Sequence, residues 1–154
     1  MSEKLADIQY NFINLPSRIE FENGHVISYL YDADGIKLRT THIIGSDTTV
    51  TDYCGNVIYE NGIPVKLLTE AGYVTLADSK YHYFVQDHLG NNRVVVDQSG
   101  NVEEVNHYYP FGGLLSSSVS NAVQPYKYNG KELDRKNGLD WYDYGARMYD
   151  AALG

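Results

Sequence analysis

Glycine punctuates this chain at nearly regular intervals. Gly24, Gly35, Gly45 and Gly55 stand 11, 10 and 10 residues apart, and the pairs Gly62/Gly72 and Gly90/Gly100 are each 10 apart. Reversals about every eight to twelve residues leave room for short strands and little for a helix of ordinary length, so the spacing predicts a multi-stranded antiparallel protein. Four of the reversals share the form Asp-x-x-Gly: Asp32 to Gly35, Asp52 to Gly55, Asp87 to Gly90 and Asp97 to Gly100. Aspartate at the first position can accept backbone N–H groups two residues on, and glycine at the fourth supplies the positive φ of a turn with a bulge.

Tyrosine is the second regularity. Tyr-x-Tyr occurs at Tyr29/Tyr31, Tyr81/Tyr83, Tyr126/Tyr128 and Tyr142/Tyr144, each time just before a turn signal. Residues two apart on a strand share one face of a sheet. The chain has 15 Tyr against 4 Phe and 1 Trp, so its aromatic surface is nearly all phenolic. Such rings pack on one side and reach water or a partner with the hydroxyl. Three readings of the stripe stay open: a packed inner face of a shell, an aromatic platform for sugars, or simple cross-strand pairing. The alternation Tyr126-Lys127-Tyr128 predicts one buried and one wet face, with the lysine on the wet one.

Strands are expected between the turns, at 17–21, 26–31, 37–44, 48–53, 57–60, 64–69, 73–76, 81–86, 93–97, 102–109, 125–128, 132–134 and 139–143, with a further arm from 147 to 150. The best helical stretch, 130–137, is cut short by Asn129-Gly130 and Asn137-Gly138. The expected fold is therefore all-β: an extended, twisted antiparallel sheet of successive β-hairpins, with no substantial helix. The serine-rich stretch 116–121 reads as a flexible loop within a single region covering 1–154.

Charge and composition narrow the function. The net charge is −8 and no basic cluster is present, which argues against a phosphate-backbone partner. No apolar run approaches the roughly 18 residues of a membrane-spanning helix, and Met1-Ser2-Glu3-Lys4 lacks the apolar core of a signal peptide. Cys54 is the sole cysteine, so neither an internal disulfide nor a cysteine-built zinc site is expected. The histidines, at 25, 42, 82, 88 and 107, read as strand-surface or turn residues. Asp32-Ala33-Asp34-Gly35 opens like a calcium loop, but Ile36 and Ile43 fill positions where a ligand is needed. No cofactor or metal is expected.

Several segments in order resemble the RHS/YD-repeat family. Tyr31-Asp32-Ala33-Asp34-Gly35-Ile36-Lys37-Leu38-Arg39 looks like a YD unit. Tyr83-Phe84-Val85-Gln86-Asp87-His88-Leu89-Gly90-Asn91-Asn92-Arg93 resembles that family's YxxDHLGNxR segment, and Tyr108-Tyr109-Pro110-Phe111-Gly112 its YxPFG element. The stretch from Gly138-Leu139-Asp140-Trp141-Tyr142 through Ala146-Arg147-Met148-Tyr149-Asp150 is similar to the family's core segment, GLxYYxARYYDP. The resemblance covers residues 26 to 154. It implies a β-ribbon that spirals into a hollow shell around a C-terminal polypeptide, commonly a toxin, in a protein exported or displayed at the cell surface.

On that resemblance the chain is expected to be a structural segment of a larger shell. Its expected partners are the C-terminal cargo polypeptide and neighbouring repeats of the parent, with homo-oligomers through exposed sheet edges also open. Asp150-Ala151 stands where the family has Asp-Pro, so self-cleavage is not expected of this chain and it does not read as an enzyme. Arg147, which matches the core arginine, is the one catalytic candidate, weighed against simple stacking on Tyr144 or Tyr149 and pairing with Asp150. The alternative function is a tyrosine-rich surface module that binds carbohydrate or protein.

Overall fold

The computed structural model describes residues 4–118 and 124–154. Eleven strands form one sheet in strict sequence order: β1 (Leu5–Tyr10), β2 (Pro16–Phe21), β3 (Val26–Tyr31), β4 (Lys37–Ile44), β5 (Asp47–Cys54), β6 (Val57–Glu60), β7 (Ile63–Thr69), β8 (Gly72–Thr75), β9 (Lys80–Gln86), β10 (Asn92–Asp97) and β11 (Val102–Val105). Every pairing is antiparallel and joins neighbours in the chain. A second sheet holds β12 (Glu132–Asp134), β13 (Trp141–Asp143) and β14 (Met148–Asp150). The fold is thus all-β, as the turn spacing predicts.

Two expected strands differ. The stretch 102–109 ends as a strand at Val105, after which Tyr108 makes only an isolated bridge to Leu114. The stretch 125–128 is not a strand. Tyr126 bridges Glu132, and the chain then tightens into a 3-10 turn at Tyr128–Gly130, with Asn129 at φ 49°. Strand β1 carries no glycine signal. Asn11 turns the chain there: its Oδ1 accepts the N–H groups of Ile13 and Leu15, and Asn14 takes φ 60°. In the serine stretch, Ser118 N–H closes a turn on the Leu115 carbonyl, while 119–121 lie outside the described residues.

Proline is accommodated by irregularity. Pro64 sits opposite Tyr59 just past a register shift in the β6–β7 ladder, where its missing N–H costs no regular bond. The apolar core lies under β2 and β3. Ile19, Phe21, Ile27 and Tyr29 pack with Leu139, and Ile8, Tyr31, Trp141 and Met148 close around them. The register explains the row: Ile8 faces Ile19, Ile19 faces Ile27, and Ile27 faces His42. The C-terminal segment therefore covers one face of the eleven-stranded ribbon.

Candidate functional site

Beyond β3 the covered face turns polar, and the C-terminal segment is held there by buried charge. In β12, Glu132 and Asp134 are two apart and so point the same way, toward β4. Lys37 Nζ lies 2.7 Å from Glu132 Oε2 and 2.7 Å from Asp143 Oδ2. The Tyr53 hydroxyl donates to Glu132 Oε1 at 2.6 Å. His42 Nε2 is 2.9 Å from Asp134 Oδ2, which also accepts the Tyr29 hydroxyl at 3.0 Å. Burial pulls Lys37 down, but the two carboxylates more than offset it and hold the ammonium above its ordinary range. Burial would raise Asp134; bonds from His42, the Lys136 N–H and Tyr29 outweigh it and leave the carboxyl below its usual value. Tyr29 and Tyr53 are both pushed up, first by burial and then by the neighbouring carboxylates.

A second cluster sits at the other end of the ribbon. Glu104 in β11 pairs with Lys127 at 2.5 Å, and their side chains are 0% and 3% exposed. Asn92 joins the same region: its N–H donates to the Lys127 carbonyl and its Nδ2 to the Tyr126 carbonyl. The alternation at 126–128 thus departs from the expected one: Lys127 is buried against a carboxylate, while Tyr126 and Tyr128 are half-buried. His42 and His82 also depart from the surface reading. Both are buried, His82 stacking on Tyr73 at 4.4 Å and bonding Glu103.

Between the two clusters runs a cavity of about 390 Å³ whose lining includes His42, Tyr53, Lys66, Tyr126 and Glu132. It lies where the segment from Gln124 to Lys136 crosses strands β4 to β7.

A tyrosine clamp completes the attachment. Three phenol groups donate to three consecutive carbonyls of the Pro110–Gly112 turn: Tyr128 to Pro110 at 3.1 Å, Tyr149 to Phe111 at 2.8 Å and Tyr142 to Gly112 at 2.8 Å. The rings of Tyr108, Tyr128, Tyr142 and Tyr149 follow one another at 5.7, 6.1 and 6.4 Å, and Tyr144 meets Tyr149 edge-on.

The tyrosine pairs therefore have different fates. Tyr29 and Tyr31 lie 6.3 Å apart on the covered face, and Tyr142 and Tyr144 belong to the clamp. Tyr126 and Tyr128 are half-buried within the crossing segment, Tyr128 also as part of the clamp. Tyr81 and Tyr83 lie on the opposite face, 51% and 43% exposed.

The turn residues also divide. Asp32, Asp87 and Asp97 each accept two backbone N–H groups through Oδ1, while Gly35, Gly90 and Gly100 take φ of 83°, 78° and 84°. Asn91 and Asn101 add side-chain donors to Asp87 and Asp97; the Asn91 bond lowers the Asp87 carboxyl, and the Asn101 bonds help to draw Asp97 down to about 2. Asp52 is a correction. It lies inside β5 opposite Tyr59 and binds Arg39, because the reversal is made by the two residues Gly55-Asn56 between Cys54 and Val57. Arg147 stands exposed before β14 and makes no ion pair among the described residues. Asp150 instead accepts the Ala152 N–H, and the cation over Tyr144 is Lys131 at 5.5 Å.

No protein-family model matches the chain, and no curated protein matches it. Solved structures do. The pore of a Photorhabdus luminescens Tc holotoxin carrying a point mutation in TccC3 matches with a TM-score of 0.76 and 19% identity, over 96% of this chain and 8% of that one. TcdB2-TccC3-Cdc42 matches with a TM-score of 0.77 and 18% identity, over 99% of this chain and 9% of that one. TcdB2-TccC3 itself gives 0.75 and 18%, with the same shares of the two chains. At such identities the likeness is one of fold, and the chain spans less than a tenth of the length of each of these chains.

Proposed function

We propose that the chain is a wall segment of a β-shell that, in a longer parent protein, encloses and delivers a C-terminal polypeptide, on the family resemblance a toxin. One observation carries this reading: an eleven-strand ribbon in unbroken sequence order, whose architecture matches TcdB2-TccC3 over nearly its whole length. Its role is mechanical. Backbone ladders make the wall, and the C-terminal segment is fastened across one face by Lys37, His42, Lys127 and the tyrosine clamp. Strands β1 and β11 are outermost in the strand order and offer edges to which neighbouring repeats of the parent can add. Secretion or surface display of the parent belongs to the same proposal.

The test is protease protection in the parent protein. The polypeptide that follows this segment should resist digestion in the assembled protein and be digested once the assembly is unfolded. Digestion at the rate of the free peptide in the assembled state rules out enclosure.

A second reading rests on Tyr81 and Tyr83, which lie side by side on the uncovered face with Val85, 50% exposed, next along the same strand. A surface module binding carbohydrate or protein would use such a stripe. Glycan-array binding that is lost in Tyr81→Ala/Tyr83→Ala would favour it; an array without binding would leave the wall reading alone.

A further inference from the structure

Glu104 sits at the centre of an arrangement that a wall segment does not require. Its Oε1 accepts from Lys127 Nζ at 2.5 Å, from Asn106 Nδ2 at 2.5 Å and from Gln124 Nε2 at 2.8 Å. Glu104 and Asn106 are each 1% exposed, and Gln124 and Lys127 each 2%. Because they share one oxygen, the amine nitrogen of Lys127 and the amide nitrogen of Asn106 are within about 5 Å of each other, so the amine and the carboxamide are held side by side.

Two acceptors in this cluster, Glu104 Oε2 and Asn106 Oδ1, are buried with no hydrogen-bond partner among the described residues. Both are shielded from bulk solvent and lie beside the donors that surround Glu104 Oε1. Transfer of a proton along the Lys127–Glu104 hydrogen bond would give Lys127 a lone pair and Glu104 a hydrogen to donate. Burial pushes the Lys127 amine down, Glu104 opposes that, and Arg135 and Lys66 add to it.

We propose that Lys127 and Asn106 join in an intramolecular isopeptide bond, with Glu104 as the acid–base group. The Lys127 amine attacks Asn106 Cγ and a C–N bond forms. Glu104 protonates the carbonyl oxygen, then recovers a proton from the Lys127 nitrogen and passes it to Nδ2. The Cγ–Nδ2 bond breaks, ammonia leaves, and the proton on the former carbonyl oxygen returns to Glu104 as the amide C=O re-forms. Atoms balance without oxidant, reductant or water, and burial of the cluster keeps bulk solvent from the carboxamide. Asn106 is the electrophile rather than Gln124 because the Gln124 carbonyl is already taken by the Tyr126 N–H at 2.6 Å, whereas Asn106 Oδ1 is free to be protonated. Asn106 is also held in place: its N–H donates to the Arg93 carbonyl and its Nδ2 to the Asn92 carbonyl. The bond would tie the end of β11 to the crossing segment, whatever the parent protein does.

Intact-mass spectrometry of the purified 154-residue chain tests this. The expected mass is below the sequence mass by one ammonia, about 17 Da, with a branched Lys127–Asn106 peptide in the digest. Glu104→Gln and Lys127→Arg should each return the sequence mass, while Gln124→Leu should keep the loss. Wild-type protein that stays at its sequence mass after prolonged incubation overturns the proposal. So does a link from Lys127 to Gln124, or a loss of ammonia that survives Lys127→Arg.

Discussion

The Tyr142 hydroxyl donates to the Gly112 carbonyl at 2.8 Å from a side chain that is 1% exposed. The bond ties β13 to a turn that lies thirty residues earlier in the chain. Tyr142→Phe keeps the ring and removes the donor, stranding a buried carbonyl. The expected cost is about 1 to 2 kcal/mol, read as a lower denaturation midpoint with an unchanged slope. An unchanged midpoint would show that the clamp does not contribute to stability.

Gly112 is constrained twice. Its φ is 90°, and a Cβ there would meet the Tyr128 ring at 2.5 Å. Gly112→Ala should cost about 2 kcal/mol or more, through backbone strain and the clash together. In the Tyr128→Ala background the same substitution should cost less, because only the strain remains. Equal costs in both backgrounds would remove the ring from the explanation.

Lys37 lies within bonding distance of both Glu132 and Asp143. Lys37→Met leaves two half-buried carboxylates facing each other across an apolar side chain. A loss of about 3 kcal/mol is expected, and it should be partly recovered by adding Glu132→Gln and Asp143→Asn. Urea unfolding of the single and triple variants measures both.

Acid should loosen the attachment late. The Asp134 carboxyl titrates below its ordinary value of 3.8 in the folded chain. Its stabilising contribution is therefore complete above that value and is lost as the pH falls through the lower, folded one. Stability should stay flat with respect to this group down to about pH 4 and then drop. Asp134→Asn should lower stability at neutral pH and flatten the drop. A variant with an unaltered acid limb would exclude Asp134 as its source.

The ribbon was legible in the sequence because its reversals are short and carry their own chemistry. Asp87, Gly90 and Asn91 announce one turn, and Asp97, Gly100 and Asn101 the next. Strand β1 escaped notice because Asn11 and Asn14 make its turn without glycine. Asp52 misled because the pattern Asp-x-x-Gly was met by a residue three before a two-residue turn, and spacing alone does not separate the two. The charged attachment was not legible at all. Lys37 and Glu132 are 95 positions apart, and a lysine between two tyrosines gives no sign that it will meet Glu104. A strand with alternating charge reads as half-wet; only the arrival of the C-terminal segment dries the wet half.

The unbroken strand order has a consequence in time. Each ladder of the ribbon joins segments adjacent in the chain, so little loop entropy opposes each step and the sheet can grow strand by strand as the polypeptide emerges. The bonds of Tyr29 and His42 to Asp134 span 105 and 92 positions and cannot form until the segment carrying Asp134 has been made. The ribbon therefore grows as a zipper that the segment carrying Asp134 later bolts, and a chain interrupted before that segment would leave a grown wall with its polar face still open to water.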